Sequence, residues 1–259
     1  MSSANQKEEK VNDDAPEEEL TQSVILELSN QLGLLQLSND LVPVSEKDSF
    51  KTNILTQVEA LNMAPYYQHV CTTLNLDVDQ ALFTTMQSAN VAEIKSFDEK
   101  EIDAKENHGE TEVREVQIAR ADYYAKIGDK KKSIDSYEEL LKTTVGAGAK
   151  IDLVFAQLRV GFVWNDRKLL KEKIAQAKGL VEKGGDWERR NRYGVYTATY
   201  LMLTKQFKAA AELFLKATAT FTCSELYSYN QFVFYTVFCA MVSLDRVTIR
   251  DKVNYILIS

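Results

Sequence analysis

The distribution of proline is the feature that most constrains this fold. The sequence has only three prolines, Pro16, Pro43 and Pro65, so residues 66–259 contain none. Proline is the strongest helix breaker because it lacks an amide hydrogen and its ring clashes with the preceding turn. No Asn-Gly or Asp-Gly pair stands between alternating apolar runs, which is the usual signature of a β-hairpin. The sequence therefore predicts an all-α protein in which glycines separate the helices.

Three helix pairs recur along the middle of the chain, within residues 108–222. The predicted pairs are 111–127 with 130–144, 150–164 with 167–182, and 189–203 with 207–218. Their internal turns fall about 37 to 40 residues apart, close to the spacing of tetratricopeptide-type helical repeats. Each pair has an apolar face that only the next pair can cover. The sequence therefore predicts a right-handed, tetratricopeptide-like helical-repeat solenoid.

The segments on either side of the repeats differ from them in composition. Residues 1–20 are polar and acidic and cannot bury enough surface to offset their chain entropy, so a disordered acidic tail is predicted.

Residues 21–107 are predicted to form N-terminal helices, with Ser45 as the cap of the second one. These predicted helices are Val24–Leu41, Ser45–Leu61, Pro65–Leu74 and Val78–Glu106. The last of them is expected to pack through Val91, Ile94, Phe97 and Ile102. Residues 223–259 begin with a dense aromatic helix, Ser224–Leu244.

One stretch at the start of the third pair combines unusual residues, reading KGGDWERRNR over 183–192. Gly184 and Gly185 are predicted to end the preceding helix through a left-handed residue, and Asp186 to cap the next helix. A tryptophan at such a junction usually packs between neighbouring elements. Cations in a first helical turn are disfavoured by the helix dipole, so acidic groups are expected near these arginines. The candidate residues are Asp186, Trp187, Arg189, Arg190 and Arg192.

Two roles are open for these candidates. The favoured role is structural, through inter-helix ion pairs with residues such as Asp186 and Glu188. The other role is contact with a partner protein. Nucleic-acid binding is a weaker third interpretation, because no aromatic stacking platform accompanies a basic groove.

The sequence offers little from which to build a reactive centre. Its two histidines, His69 and His108, lie far apart. His69 and Cys71 point away from each other on a helix, which makes shared metal ligation poor. There is no GxxxxGK[ST] phosphate-binding motif and no His-x-His metalloprotease motif. We therefore predict a protein that is not an enzyme, with no catalytic, cofactor-binding or metal-binding residues.

Charge and cysteine usage narrow the partners and the compartment. A net charge of −7 argues against general binding of nucleic acid or of anionic membranes, both of which require basic surfaces. Three widely spaced cysteines indicate reduced thiols in a cytosolic or nuclear protein. The longest apolar run, 232–244, is too short and too interrupted to span a bilayer. Proteins are therefore the expected partners.

Four stretches, in this order, resemble a known family. They are Met63 to Tyr67, Ile127 to Lys130, the GGDWERRNR run at 184–192, and Phe207 to Phe214 leading to Thr220–Thr222. Together they resemble the family of the non-ATPase subunit seven of the 26S proteasome regulatory particle lid, over roughly residues 63–252. The resemblance implies a structural subunit that scaffolds the lid for ubiquitin-dependent protein degradation, in the cytoplasm and nucleus, without doing chemistry.

The resemblance also implies that residues 223–259 begin a PCI helical module, which in this family is closed by a winged helix that pairs with neighbouring subunits. The implied partners are other PCI-type lid subunits, the small acidic lid component and the proteasome base. Two alternatives stay open. One is a free-standing tetratricopeptide-type adaptor that grips a peptide tail in its groove, and the other is signalosome subunit one, which shares the architecture.

Residues 254–259 do not resemble the family, and the winged helix is expected to be absent from this chain. Without it, the aromatic helix should leave an apolar surface uncovered, which favours self-association. We therefore expect the isolated chain to be helical yet oligomeric or poorly soluble. Circular dichroism and sedimentation velocity measure the two properties, and a clean monomer contradicts the expectation.

Overall fold

The computed structural model describes residues 23–251, and every regular element within them is helical. The helices are α1 (Val24–Leu35), α2 (Val44–Ala60), α3 (Ala64–Leu74), α4 (Gln80–Asn107), α5 (Glu110–Ile127), α6 (Lys130–Thr143), α7 (Ala147–Val163), α8 (Arg167–Gly184), α9 (Trp187–Leu203), α10 (Phe207–Ala217) and α11 (Tyr229–Ser243). A 3-10 turn follows α10, and a further helical segment covers 246–251. The all-α prediction is confirmed. The predicted tail at 1–20 and residues 254–259 lie outside the described part of the chain.

The three predicted helix pairs are α5–α6, α7–α8 and α9–α10, and each helix packs against the next one along the chain. Small residues allow the close approach within a pair. A Cβ atom on Gly161 would lie 2.8 Å from a methyl carbon of Leu170. Ala198, Ala210 and Ala211 are fully buried. The described helices thus form a consecutively packed helical-repeat solenoid, as predicted. None of them is long and apolar enough to cross a bilayer.

Aspartates set where several helices begin. Asp79, Asp129, Asp166 and Asp186 each stand just before a helix and accept hydrogen bonds from its first amides. The predicted Asp186 cap is confirmed, because its carboxylate accepts from the Arg189 amide at 2.7 Å. The turns inside the first two pairs therefore end on the same kind of residue.

The first two helices differ from their predicted bounds. Helix α1 ends at Leu35 rather than Leu41. Helix α2 begins at Val44, directly after Pro43, and its N-terminus has no side-chain cap. The predicted Ser45 cap is therefore wrong, since Ser45 already lies inside the helix.

The aromatic helix α11 begins at Tyr229 rather than Ser224, because a capping box stands just before it. The Ser228 hydroxyl accepts from the Gln231 amide at 3.3 Å, and the Gln231 side chain accepts from the Ser228 amide at 3.1 Å. The residues before this box form a turn instead of a helix. That turn carries Glu225 into the protein interior, where it is 2 % exposed.

Helix α4 packs through only part of the predicted stripe: Ile94 and Phe97 are half-buried, and the Phe97 ring lies 5.7 Å from the Tyr123 ring. Its buried residues are Met86, Asn90, Glu101 and Ala104. Val91 and Ile102, which were expected to be inside, are exposed. Polar contacts accompany this orientation: the Asn90 amide donates to the Asn62 carbonyl at 2.7 Å, and Glu101 accepts from Gln117 at 2.8 Å. The helix therefore docks partly through hydrogen bonds, which an apolar periodicity does not reveal.

Gly184 and Gly185 end α8 by a mechanism that differs from the predicted one. Gly184 is the last residue of α8, and Gly185 has φ −71° and ψ 131°, so neither residue is left-handed. A glycine is required at position 185 because a larger residue would collide with the backbone of α8: a Cβ atom there would lie 3.0 Å from the Cα atom of Val181. The left-handed glycine of the described chain is Gly128, with φ 79°.

Helix α1 folds back across the repeats. It contacts α7 and α5 as well as α2, and the Ser29 hydroxyl donates to the Val163 carbonyl at 2.6 Å. Its buried residues are Ile25, Leu26, Leu28 and Leu32. Cavities of about 460 and 440 Å³ adjoin its two ends. The face formed by the first helices of the first two pairs is therefore covered by the chain itself.

Replacing Gly128 by alanine should destabilise the protein strongly. The new Cβ would lie 2.6 Å from the Cβ of buried Tyr66, at a left-handed backbone position. Strain and overpacking together should lower the free energy of unfolding by roughly 2 to 5 kcal/mol. Urea denaturation followed by circular dichroism measures this free energy of unfolding. Gly33→Ala is the control, because a Cβ there meets nothing within 4 Å; equal losses in both variants would contradict the analysis.

Candidate functional site: the inter-repeat arginine cluster

Arg189 joins the third helix pair to the second. Its guanidinium donates to both carboxylate oxygens of Asp152 on α7, with an Nη2–Oδ2 distance of 2.6 Å and an Nε–Oδ1 distance of 3.1 Å. The same guanidinium contacts the capping carboxylate of Asp186. Hydrogen bonding by the Arg189 amide, with the nearby guanidinium, holds the pKa of Asp186 below its ordinary value. Gly148 leaves room for this contact, since a Cβ there would lie 3.1 Å from Arg189 Cζ.

Arg192 forms the buried part of the cluster. Its Nε and Nη2 atoms donate to one oxygen of Glu225 at 2.9 and 2.7 Å. The side chains of Arg192 and Glu225 are only 8 % and 3 % exposed. The Arg192 guanidinium also lies 5.2 Å from the ring centre of Phe155. Burial is the largest single influence on the pKa of Arg192 and would lower it, but the interactions with neighbouring groups, led by the attraction of Glu225, together raise that pKa. The contact therefore ties α9 to the turn that precedes α11.

The network continues inward from Glu225. The Tyr196 hydroxyl donates to the same Glu225 oxygen at 3.1 Å and accepts from Arg159 on α7 at 3.2 Å. The rings of Tyr196 and Phe155 stack, with centroids 4.6 Å apart. Tyr196 is fully buried, and burial raises the pKa of its hydroxyl well above the ordinary value. The hydroxyl therefore remains a neutral donor that links α7, α9 and the turn.

Four polar contacts join successive helix pairs at a separation of one repeat, and we call them the inter-repeat ladder. They are the Lys130–Asp166 and Glu138–Lys173 ion pairs, the Asp152–Arg189 ion pair and the Arg159–Tyr196 hydrogen bond. Their partners lie 36, 35, 37 and 37 residues apart along the chain. Each contact therefore bonds a position in one pair to the corresponding region of the next.

Trp187 and Arg190 stand outside this network. Trp187 is 63 % exposed, so the expectation that it packs between neighbouring elements is wrong. Gly185 is the buried residue of the junction instead. Arg190 is also exposed, and it has no carboxylate within 4 Å among the described residues. The five candidates thus divide into three whose charged groups bind within the chain, Asp186, Arg189 and Arg192, and two that are exposed without such a contact.

His69 and the three cysteines make packing contacts, whereas His108 is exposed. The His69 ring lies 4.5 Å from the Trp164 ring and 5.8 Å from the Tyr66 ring, and burial lowers the pKa of His69. Cys71, Cys223 and Cys239 are buried free thiols. Within residues 23–251, no three His, Cys, Asp or Glu side chains are grouped so that they could hold a metal ion.

Sequence reasoning missed the main acidic partners of the arginines. It named Asp186 and Glu188, but the shortest contacts of Arg192 go to Glu225, while Glu188 lies 3.9 Å away. Asp152 and Glu225 are 37 and 33 residues from the arginines they bind. The one available signal was the repeat spacing itself, which places Asp152 one period before Arg189.

Comparison with protein families gives one clear match. A family model described as 26S proteasome subunit RPN7 matches residues 79–252. This range covers α4, the three helix pairs and α11 completely.

Curated relatives agree with that match. The chain is 43 % identical over 226 residues to the "26S proteasome non-ATPase regulatory subunit 6 homolog" of Arabidopsis thaliana, covering 87 % of this chain and 58 % of the relative. It is 41 % identical over 236 residues to the "26S proteasome non-ATPase regulatory subunit 6" of Oryza sativa subsp. japonica, covering 91 % and 60 %. It is 32 % identical over 238 residues to the "26S proteasome regulatory subunit RPN7" of Saccharomyces cerevisiae, covering 84 % and 56 %. The chain thus spans less than two thirds of the length of these relatives.

Replacing Arg192 by methionine should lower the free energy of unfolding by about 3 to 5 kcal/mol, because Glu225 would remain buried without its cation. Arg190→Met removes the same charge from an exposed site and should change stability by no more than about 0.5 kcal/mol. The double variant R192M/E225M should lose less than the sum of its single variants, since neither charge is left unpaired. Urea denaturation measures the free energies of unfolding of R192M, E225M, R192M/E225M and R190M relative to the unchanged chain. An Arg190 effect as large as that of Arg192 would contradict this assignment.

Proposed function

This chain belongs to the family of 26S proteasome subunit RPN7, and from that premise we propose that it is a non-catalytic structural subunit of the proteasome regulatory particle lid. Its role is to scaffold the assembly that carries out ubiquitin-dependent protein degradation. The observation that carries the proposal is the family match over residues 79–252, which includes all three helix pairs. The inter-repeat ladder supports it, because charged groups that bind one another across repeats serve to hold helices in a fixed stack.

The chain would act through its surfaces, as part of an assembly in the cytoplasm and nucleus. Its proposed partners are other PCI-type lid subunits, the small acidic lid component and the proteasome base. Residues 223–259 are proposed to begin the PCI helical module. The exposed apolar residues of α11 support this division, because such a surface is suited to a protein contact. They are Tyr229, Phe234, Phe238, Met241 and Val242.

Trp187 and Arg190 are the proposed partner-contact residues of the arginine cluster. Both are exposed, and Arg190 has no ion pair within the described residues. Tryptophan and arginine are enriched among the residues that carry most of the energy of protein interfaces. Asp186, Arg189 and Arg192 are proposed to be structural, because their charged groups bind within the chain.

The free-standing adaptor fits the structure less well. An adaptor of this type would grip a peptide tail in the groove of its repeats. Here α1 packs against both α5 and α7, so part of the surface of the repeats is occupied by the chain itself. The names of the relatives also favour a proteasome subunit over signalosome subunit one.

Affinity purification of the tagged full chain from cells, followed by quantitative mass spectrometry, tests the proposal. We expect several proteasome lid subunits to co-purify in similar amounts. Recovery of one dominant partner without lid subunits would instead support the adaptor.

The variant W187A/R190E should reduce recovery of the lid subunits at least about tenfold, which corresponds to the loss of one interface hot spot. Lys208→Glu is the control, because it reverses an exposed charge on α10, away from the cluster. Circular dichroism should show that both variants stay folded. Unchanged recovery with W187A/R190E would exclude these two residues as partner contacts.

A further inference from the structure

The turns inside the three helix pairs bring positive charges to one edge of the stack. The ion pair between Lys130 and Asp166, at 2.8 Å, shows that the first and second turns are adjacent. Each turn is followed or accompanied by exposed lysine or arginine residues. We call this set, together with Lys126 at the end of α5, the basic edge: Lys126, Lys131, Lys132, Arg167, Lys168, Lys205 and Lys208. It stands out in a chain whose net charge is −7.

The two capping carboxylates at this edge are already engaged. Asp129 caps α6 and pairs with Lys132 at 3.2 Å, and Asp166 caps α8 and pairs with Lys130. Hydrogen bonds to the Leu169 amide and to Lys130 hold the pKa of Asp166 below its ordinary value, so it stays ionised. Lys126 and Lys131 have no carboxylate within 4 Å in the described part of the chain. Lys126 and Lys131 therefore carry charge that no ion pair of the described residues compensates.

The start of α1 lies beside the same edge. Ser23, Val24 and Ile25 line the cavity of about 460 Å³ together with Lys126 and Lys130. The chain that precedes Ser23 must therefore depart from this place.

That preceding chain is strongly acidic. Residues 1–22 contain seven acidic residues and two lysines. Three of the acidic residues, Glu17, Glu18 and Glu19, stand four to six residues before Ser23. At about 3.3 to 3.6 Å per residue, they reach roughly 13 to 22 Å from Ser23. Both the sign of the charge and the length of the connection thus suit contact with the lysines at the end of α5 and the start of α6.

We propose that Glu17, Glu18 and Glu19 bind in cis to the basic edge at Lys126, Lys131 and Lys132, and that this contact holds the start of α1 against α5 and α7. A short tether gives the acidic segment a high effective concentration at the edge, so contacts that are weak singly are occupied together. The contact is exposed and is therefore weakened by salt, which screens such charges over about 8 Å at physiological ionic strength. This docking is independent of whether the chain acts in the proteasome lid.

Zero-length carbodiimide crosslinking of the purified full chain, read by mass spectrometry, tests the contact directly. We expect amide crosslinks from residues 17–19 to Lys126, Lys131 and Lys132 at low ionic strength, and their loss at high ionic strength. Lys142 and Lys178, which are also exposed, are the internal controls and should crosslink at least about fivefold less, because the tether does not favour them. Equal crosslinking to all five lysines would overturn the proposal.

Mixing isotopically light and heavy chains before crosslinking separates contacts within one chain from contacts between chains. The proposal requires light–light and heavy–heavy crosslinks. Mixed products alone would mean that the acidic segment binds a second copy, and that outcome also overturns the docking in cis.

Hydrogen–deuterium exchange tests the consequence for α1. The triple variant E17Q/E18Q/E19Q should increase the exchange rate of amides in Val24–Leu35 several-fold, and K126Q/K131Q/K132Q should do the same. The matched control E8Q/E9Q/D13N removes as many charges farther from Ser23 and should have a smaller effect. If E8Q/E9Q/D13N accelerates exchange in α1 as much as E17Q/E18Q/E19Q does, a general reduction of charge explains the effect and the proposed contact is refuted.

Discussion

Successive helix pairs are joined by polar contacts between positions one repeat apart, and the rest of the structure depends on them. Apolar burial drives helices together without setting how far one slides along the next. An ion pair such as Asp152–Arg189 has directional hydrogen bonds, and it is satisfied only when α9 starts beside the corresponding part of α7. Lys173 is buried and pairs with Glu138, and a buried charge that loses its partner is strongly unfavourable. The inter-repeat ladder therefore specifies the register of the stack.

The network around Glu225 extends this order beyond the repeats. Glu225 accepts from Arg192 and from Tyr196, so the turn before α11 is fixed to the last helix pair. The Tyr227 hydroxyl donates to Thr199 at 3.2 Å and strengthens the same connection. Helix α11 is thereby held in one orientation against α10, with Phe232 buried against Phe214 and with Phe234 64 % exposed. A scaffold subunit needs surfaces in fixed relative positions, and these contacts provide them.

Local sequence signals predicted the helices well wherever one short-range interaction decides the outcome. Aspartate caps and the absence of proline placed the helix pairs within about three residues of their observed bounds. The predictions were wrong where a neighbouring element decides. Trp187 is exposed at the junction, and Val91 and Ile102 of α4 are exposed while Asn90 and Glu101 form hydrogen bonds with the turn before α3 and with α5. None of these contacts lies within the window that a periodic pattern reads.

The sequence alone determined that this chain is helical and repeats with a period near 37 residues, because proline, glycine and caps act through the local backbone. It also indicated the family, through short stretches that are distinctive in themselves. Only the tertiary structure decided which acid each arginine binds, which of the five candidates face outward, and that α1 covers the face of α5 and α7. These outcomes depend on groups 29 to 134 residues apart. The free energy of such contacts exists only after the helices have packed.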